Sequence, residues 1–196
     1  MIEFKSLGKS TGSNSSWKLT YNAPLTLSFT LIAFVFLIMN YITGGLVNAA
    51  CALTPDLSFI GLYRYLTYVL CHANWAHLAS NSLYLLMLGP LLEEKYGAKE
   101  LLFMSLITAV ITGLINTFLF RQVIVGASGI VFMFIILSSL VNMKRKEIPL
   151  TFILVTFVFI GNEIVNSLGN DNISQFGHIC GGLCGGALGF LKRNVT

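Results

Sequence analysis

Two residues pose the first chemical question: Ser128, inside Gly126-Ala127-Ser128-Gly129, and His178, at the head of a run of glycines. A serine hydroxyl becomes a nucleophile when a base within about 2.6–3.2 Å takes its proton. The chain has only three histidines, His72, His77 and His178, and imidazole is the side chain most often used as that base. Asn81, four residues after His77, adds a polar amide on the same helix face. Each residue also has a plainer reading. Serine is an ordinary helix start, and a lone histidine at membrane depth is ordinarily a hydrogen-bond partner between helices.

The elements that must position these groups follow from composition. Of 196 residues, 55% are hydrophobic and 10% charged, and the mean hydropathy is +0.78. Soluble domains carry about 25% charged residues, so the chain reads as an all-α polytopic membrane protein. It has room for about six spans of roughly 20 residues and for no separate soluble domain. The boundaries predicted are a polar cytoplasmic tail over 1–23, a six-span membrane domain over 24–192 and a short tail over 193–196. The first run, Pro24 to Ile42, has a basic flank and small residues beyond it, like a secretory signal, but its length suits a retained span. From Thr43 to Cys71 the chain mixes apolar with polar residues, including Pro55, Asp56, Arg64 and several tyrosines, as suits a segment in the headgroup region. The second span runs from His77 to Glu93-Glu94-Lys95 and the third from Leu101 to Phe120. The fourth runs from Ser128 to Met143, ahead of Lys144-Arg145-Lys146. The fifth is Ile148 to Leu168, with Glu163 near its end, and the sixth is Gly177 to Leu191, ahead of Lys192-Arg193.

Ten of the 12 Lys and Arg residues fall on the side of the termini, leaving Arg64 and Arg121 opposite. The positive-inside rule then places both termini in the cytoplasm. At about 1.5 Å of rise per residue, Ser128, His178, His77 and Asn81 lie roughly 18–24 Å above their cytoplasmic charges. In a hydrocarbon layer about 30 Å thick that is one common level, a little below the outer edge. Polar groups at that depth are costly unless they face a partner or a wet cavity. The four cysteines, Cys51, Cys71, Cys180 and Cys184, do not form a metal-ligand spacing, and their spacing alone argues no disulfide.

In the sixth span Gly177, Gly181, Gly185 and Gly189 recur every four residues, which lets two membrane helices pack backbone to backbone. Close approach to the fourth span would bring His178 toward Ser128. With these motifs in order, Tyr63 to Phe190 resembles the rhomboid intramembrane serine proteases. Tyr63-Arg64 stands where that family often has Trp-Arg. His72, His77 and Asn81 match its second-span pattern, Gly126 to Gly129 its nucleophile motif, and His178 with Gly181 and Gly185 its last-span base and glycine stripe.

The resemblance implies a Ser128–His178 dyad with no acidic third member, and an oxyanion held by the Ser128 N–H with His77 and Asn81. His72 and Arg64 would brace the first loop. Phe132 stands where the family commonly has a tyrosine packed on the catalytic histidine, so the ring is kept and a hydroxyl lost. The expected partners are transmembrane protein substrates and the lipid bilayer of a bacterial cell membrane. No cofactor, metal or nucleic acid is expected, and the oligomeric state is not legible. Two other readings compete: a catalytically silent rhomboid-like protein that binds membrane helices, and a transporter or metal-handling protein using the three histidines. Both Ser128 and His178 are present, which argues against the first. The absence of an H-E-x-x-H pattern argues against the second.

Overall fold

Pro24 opens the first long helix, where its missing N–H is no loss because first-turn donors have no partner within the helix. In the computed structural model, which describes residues 19–55, 58–141, 147–167 and 172–192, α1 is Pro24–Ile42, as predicted. The donors at its start are met from another helix. The Glu93 carboxylate accepts the Leu25 N–H at 3.1 Å, the Thr26 N–H at 2.7 Å and the Thr26 hydroxyl at 2.6 Å. Negative charge there is also favoured by the helix dipole. Glu93 is therefore buried, and does more than mark the end of a span.

The segment predicted to lie in the headgroup region folds as short helical pieces: α2 (Leu46–Cys51), a 3-10 turn (Phe59–Gly61), α3 (Arg64–Thr67) and a second 3-10 turn (Tyr68–Leu70). Next comes α4 (Trp75–Tyr96), which begins two residues before the predicted start because the Asn74 side chain accepts the His77 N–H and caps it. Gly97, at φ 82°, turns the chain directly into α5 (Ala98–Ile115), which continues as a π-helical turn, Asn116–Phe120.

The helix carrying the serine, α6 (Ser128–Ser139), ends four residues before the predicted Met143. The hydroxyls of Ser138 and Ser139 bond back to the carbonyls of Ile135 and Ile136, an alternative to regular helix that serines offer. After Pro149 comes α7 (Leu150–Ser167), and α8 is Asn172–Lys192. The last helix starts five residues before the predicted Gly177, since neither proline nor glycine stands between Asn172 and Phe176 to stop it. The tail up to residue 18, Asp56, Lys144-Arg145-Lys146, Leu168 and Arg193 lie outside the described residues, as does the side chain of Glu163.

The chain is all-helical, with no strand among the described residues beyond the isolated bridge between Leu53 and Ile124. Among the described residues two stretches, Pro24–Ile42 and Ala98–Phe120, are long and apolar enough to cross a membrane by length and composition. In the middle of the bundle α6 packs against α4, α5, α7 and α8. Its Met133 and Leu137 are fully buried, in one core with Leu92, Leu101 and Met104 of the neighbours. Lys192 of α8 pairs with Glu100 of α5 at 2.5 Å. That pair gathers the end of α8 and the start of α5 at the end of the bundle opposite Ser128.

Candidate active site

Ser128 is the first residue of α6, and the backbone leading to it is shaped by Gly126 at φ +112°. A Cβ at Gly126 would lie 2.6 Å from Cε1 and 2.7 Å from Nε2 of His77, and 3.6 Å from the Asn81 amide nitrogen. Only glycine lets both side chains close onto the chain just before the serine. The approach is fixed by backbone pairing. The Gly126 N–H donates to the Tyr68 carbonyl at 2.9 Å, Leu53 and Ile124 exchange two bonds of 3.1 Å, and the Asn116 amide donates to the Gln122 carbonyl at 2.7 Å.

His77 and Asn81 share a face of α4, one turn apart. Asn81 is buried, and its Nδ2 donates to His72 Nε2 at 3.1 Å. The other His72 nitrogen, Nδ1, faces the Leu70 carbonyl at 3.2 Å. An amide nitrogen can only donate and a carbonyl only accept, so these partners assign a neutral ring with its proton on Nδ1. Burial, and then the neighbouring His77, hold His72 down to about 4. The His72 carbonyl accepts from Asn48 of α2 at 3.0 Å. His72 thus both orients Asn81 and ties it to the first loop.

The other half of the site comes from α8. A Cβ on Gly181 would run into the backbone of Gly129, and one on Gly185 would lie 2.6 Å from the Met133 carbonyl oxygen. The two helices therefore touch backbone to backbone, starting one residue after Ser128. One turn before Gly181, His178 stacks on Phe132, ring centroids 4.1 Å apart and planes 28° from parallel. Phe132 lies one turn after Ser128, so the imidazole rests on the same face of α6 as the serine.

Ser128, His77, Tyr68, Thr112, Asn116 and Phe176 line a cavity of about 280 Å³. The Thr112 hydroxyl is buried there without a partner among the described residues. Tyr68, Thr112 and Asn116 were missed in the sequence. For Thr112 and Asn116 the signal was the recurrence of Thr108, Thr112 and Asn116 every four residues along an otherwise apolar span; Tyr68 had none. Arg64 stands apart from the cavity, where its guanidinium donates to Thr54 Oγ1 at 2.7 Å and to the Ala49 carbonyl at 3.3 Å. Among the described residues no three His, Cys, Asp or Glu side chains gather as metal ligands would.

A family model described as the Rhomboid domain matches residues 60–195. The chain belongs to the rhomboid family. Its relatives include rhomboid-like protein 11, chloroplastic, of Arabidopsis thaliana, 31% identical over 150 residues, covering 68% of this chain and 54% of that protein. The rhomboid protease GlpG of Haemophilus influenzae is 23% identical, covering 68% of this chain and 71% of its own. The rhomboid protease GluP of Bacillus subtilis is 35% identical, covering 68% and 27%. This rhomboid chain thus spans about half the length of the Arabidopsis relative and about a quarter of the Bacillus one.

Proposed function

We propose that this rhomboid is an intramembrane serine endopeptidase with six spans and both termini in the cytoplasm. It would cut transmembrane segments of other proteins near the extracytoplasmic face of a bacterial cell membrane. One observation carries the reading. The Gly129–Gly181 contact and the stack of His178 on Phe132, one turn after Ser128, support a pairing of the imidazole with the serine, and Ser128 itself lines a cavity with polar side chains. Names of two relatives, rhomboid proteases GlpG and GluP, support the same class of activity.

In this reading Ser128 Oγ attacks the scissile carbonyl while His178 takes its proton, then returns it to the leaving amine, as in a triad without the orienting carboxylate. Phe132 orients the imidazole in place of an acid, through a stacked ring. The oxyanion is met by the Ser128 N–H, free at a helix start where donors have no internal partner, and by His77. The second hydrogen of Asn81 Nδ2, left over once His72 has taken the first, completes the set. A peptide bond inside a helix is shielded by its own hydrogen bonds, so substrates with small or helix-breaking residues near the cut are favoured.

The deciding experiment is labelling by a serine-reactive fluorophosphonate of the native chain, Ser128→Ala and His178→Ala, in parallel with cleavage of a membrane substrate. Labelling and cleavage in the native chain alone are expected. Equal labelling of Ser128→Ala would reject the nucleophile. A folded native chain that neither labels nor cleaves would support the silent helix-binding reading instead.

A further inference from the structure

A second cavity, of about 260 Å³, takes no part in the proposed chemistry. Its floor is buried, made by Ala109 of α5 with Ile130 and Phe134 of α6, and Val69 and Leu70 of the first loop close it on another side. Ile32 of α1 and Leu102 and Leu106 of α5 are exposed and form its rim. The space therefore opens sideways between α1 and α5, which both belong to stretches long and apolar enough to cross a membrane.

The walls decide what fits. Three hydroxyls reach the cavity, and each has a partner: Thr26 donates to Glu93 at 2.6 Å, Ser28 bonds with Tyr21 at 2.8 Å, and Ser105 donates to the Leu101 carbonyl at 2.8 Å. Every other side chain of the lining is apolar, whereas a water needs about two to four polar partners. A partner helix, about 10–12 Å across, is too thick for the space. A hydrocarbon chain is thin enough, and gives the wall atoms the close neighbours that dispersion contacts require.

Charge at the rim supplies the other half of a ligand. Lys99 is exposed and precedes Leu102 by one turn, on the face that Leu102 and Leu106 continue. The neighbouring Glu100 is taken up by Lys192. No side chain caps the start of α5, so its first amides add partial positive charge beside Lys99. Along the helix, Lys99 lies about 15 Å from Ala109, half of a hydrocarbon layer about 30 Å thick. A chain of one leaflet with its phosphate at Lys99 thus ends at the cavity floor.

We propose that the cavity binds one acyl chain of an anionic phospholipid, whose phosphate pairs with Lys99 and whose chain passes between α1 and α5 to Ile130 and Phe134. Val69 follows Tyr68, which holds Gly126, and Ile130 is two residues after Ser128. The lipid thereby braces the backbone on both sides of the serine.

The binding rests on α1 and α5 lying side by side in a bilayer and not on the protease reading, so its test uses no cleavage assay. The full chain is placed singly in nanodiscs of phosphatidylcholine doped with phosphatidylglycerol that carries a diazirine at the end of one acyl chain. After irradiation the labelled residues are mapped by mass spectrometry. Label is expected on Ile130 and Phe134, which are buried and beyond the reach of lipid around the bundle. It should be lost in Ala109→Leu, which fills the cavity, while label on the exposed Phe103 persists. Leu106→Trp, at an exposed position, closes the mouth and should lose the same label, which keeps the test if Ala109→Leu does not fold. Lys99→Glu should remove the advantage of phosphatidylglycerol over a phosphatidylcholine probe of the same design. Label confined to exposed residues, or α6 label unchanged in folded Ala109→Leu and Leu106→Trp, would overturn the site. Equal α6 labelling of the native chain by the two probes would overturn the anionic headgroup. Labelling of α6 by a water-soluble diazirine in place of the lipid would show a wet cavity, and α6 label that vanishes when two chains share a disc would give the space to a second copy; either result overturns the proposal.

Discussion

Gly181→Ala is the substitution with the most directly computable consequence. A Cβ there would stand 2.7 Å from the carbonyl carbon and 2.9 Å from the Cα of Gly129. Non-bonded carbons sit comfortably at about 3.5–4.0 Å, so α8 must retreat from α6 by roughly 1 Å, because the obstacle is backbone with no rotamer to yield. Overpacking of this kind costs about 1–3 kcal/mol of stability. His178 is one turn away on the retreating helix, and a misplacement of about 1 Å can cost 10²-fold in rate, equivalent to about 2.7 kcal/mol of barrier. Turnover and fluorophosphonate labelling should thus fall by roughly 10²-fold while the chain stays folded and KM changes little. Gly186→Ala is the control, since its Cβ would meet only Ile136 Cγ2 at 3.9 Å, and it should behave like the native chain. Unchanged turnover in Gly181→Ala would refute the claim that backbone contact between α6 and α8 sets the imidazole's position.

Asn81→Ala should lower kcat by roughly 10²–10³-fold, the usual effect of one lost oxyanion donor; a purely structural role would instead show as a lower melting temperature with native kcat. Glu93→Gln should destabilise the chain by about 1.5–3 kcal/mol, because a carboxylate receiving three donors becomes a neutral amide that presents its own hydrogens. Thermal unfolding reads this, and an unshifted midpoint would deny the cap on α1 its role. His72 is held below its unfolded value of about 6.5, near 4, so the unfolded chain binds the extra proton first. Stability should be complete above about pH 6.5 and fall as the pH drops toward 4. The acid loss should flatten in His72→Gln, as measured by the melting temperature against pH. Phe132→Tyr should keep activity within a few fold in the cleavage assay, since the stacked ring is retained; complete inactivation would show that the surroundings of His178 cannot hold a hydroxyl.

What was legible in the sequence was whatever repeats or is charged. The runs read from Pro24, His77 and Leu101 announced themselves by length and apolarity, and the glycines of α8 by their spacing of four. Helix ends were less legible where they depend on side-chain bonds to nearby backbone. The Asn74 cap moves the start of α4, and Ser138 and Ser139 cut α6 short. Least legible were partners distant in sequence. Nothing local tells that Glu93 meets Thr26 or that Tyr65 meets Thr117, because such pairs follow from how helices cross and not from any period along one of them. At the site, Ser128, His77, Asn81 and His178 were nameable from spacing, whereas Thr112 and Asn116 looked like ordinary polar residues of an apolar helix. That His72 presents its acceptor nitrogen to Asn81 required the coordinates.

The shortness of α6 explains why the first loop is built as it is. In the proposed six-span reading, twelve residues cover about 18 Å of a layer roughly 30 Å thick, which would leave non-helical backbone inside the membrane. Such backbone is tolerated only when its polar groups are satisfied by protein or by a wet cavity. The stretch ahead of Ser128 meets that demand from three directions: Leu53 pairs with Ile124, the Tyr68 carbonyl takes the Gly126 N–H, and Asn116 takes the Gln122 carbonyl. Two of these three partners belong to the segment between α1 and α4. Arg64 and Tyr63 hold that segment to α2, and the Tyr65 and Tyr68 hydroxyls anchor it to Thr117 and Ala109 at 2.8 and 3.1 Å. The loop is therefore the hydrogen-bonding counterpart of the non-helical backbone before the serine, of which Gly126 and Ala127 are buried. Loosening it should expose that backbone before it disturbs the helices, so changes at Tyr68 or Arg64 are expected to reach Ser128 without touching it.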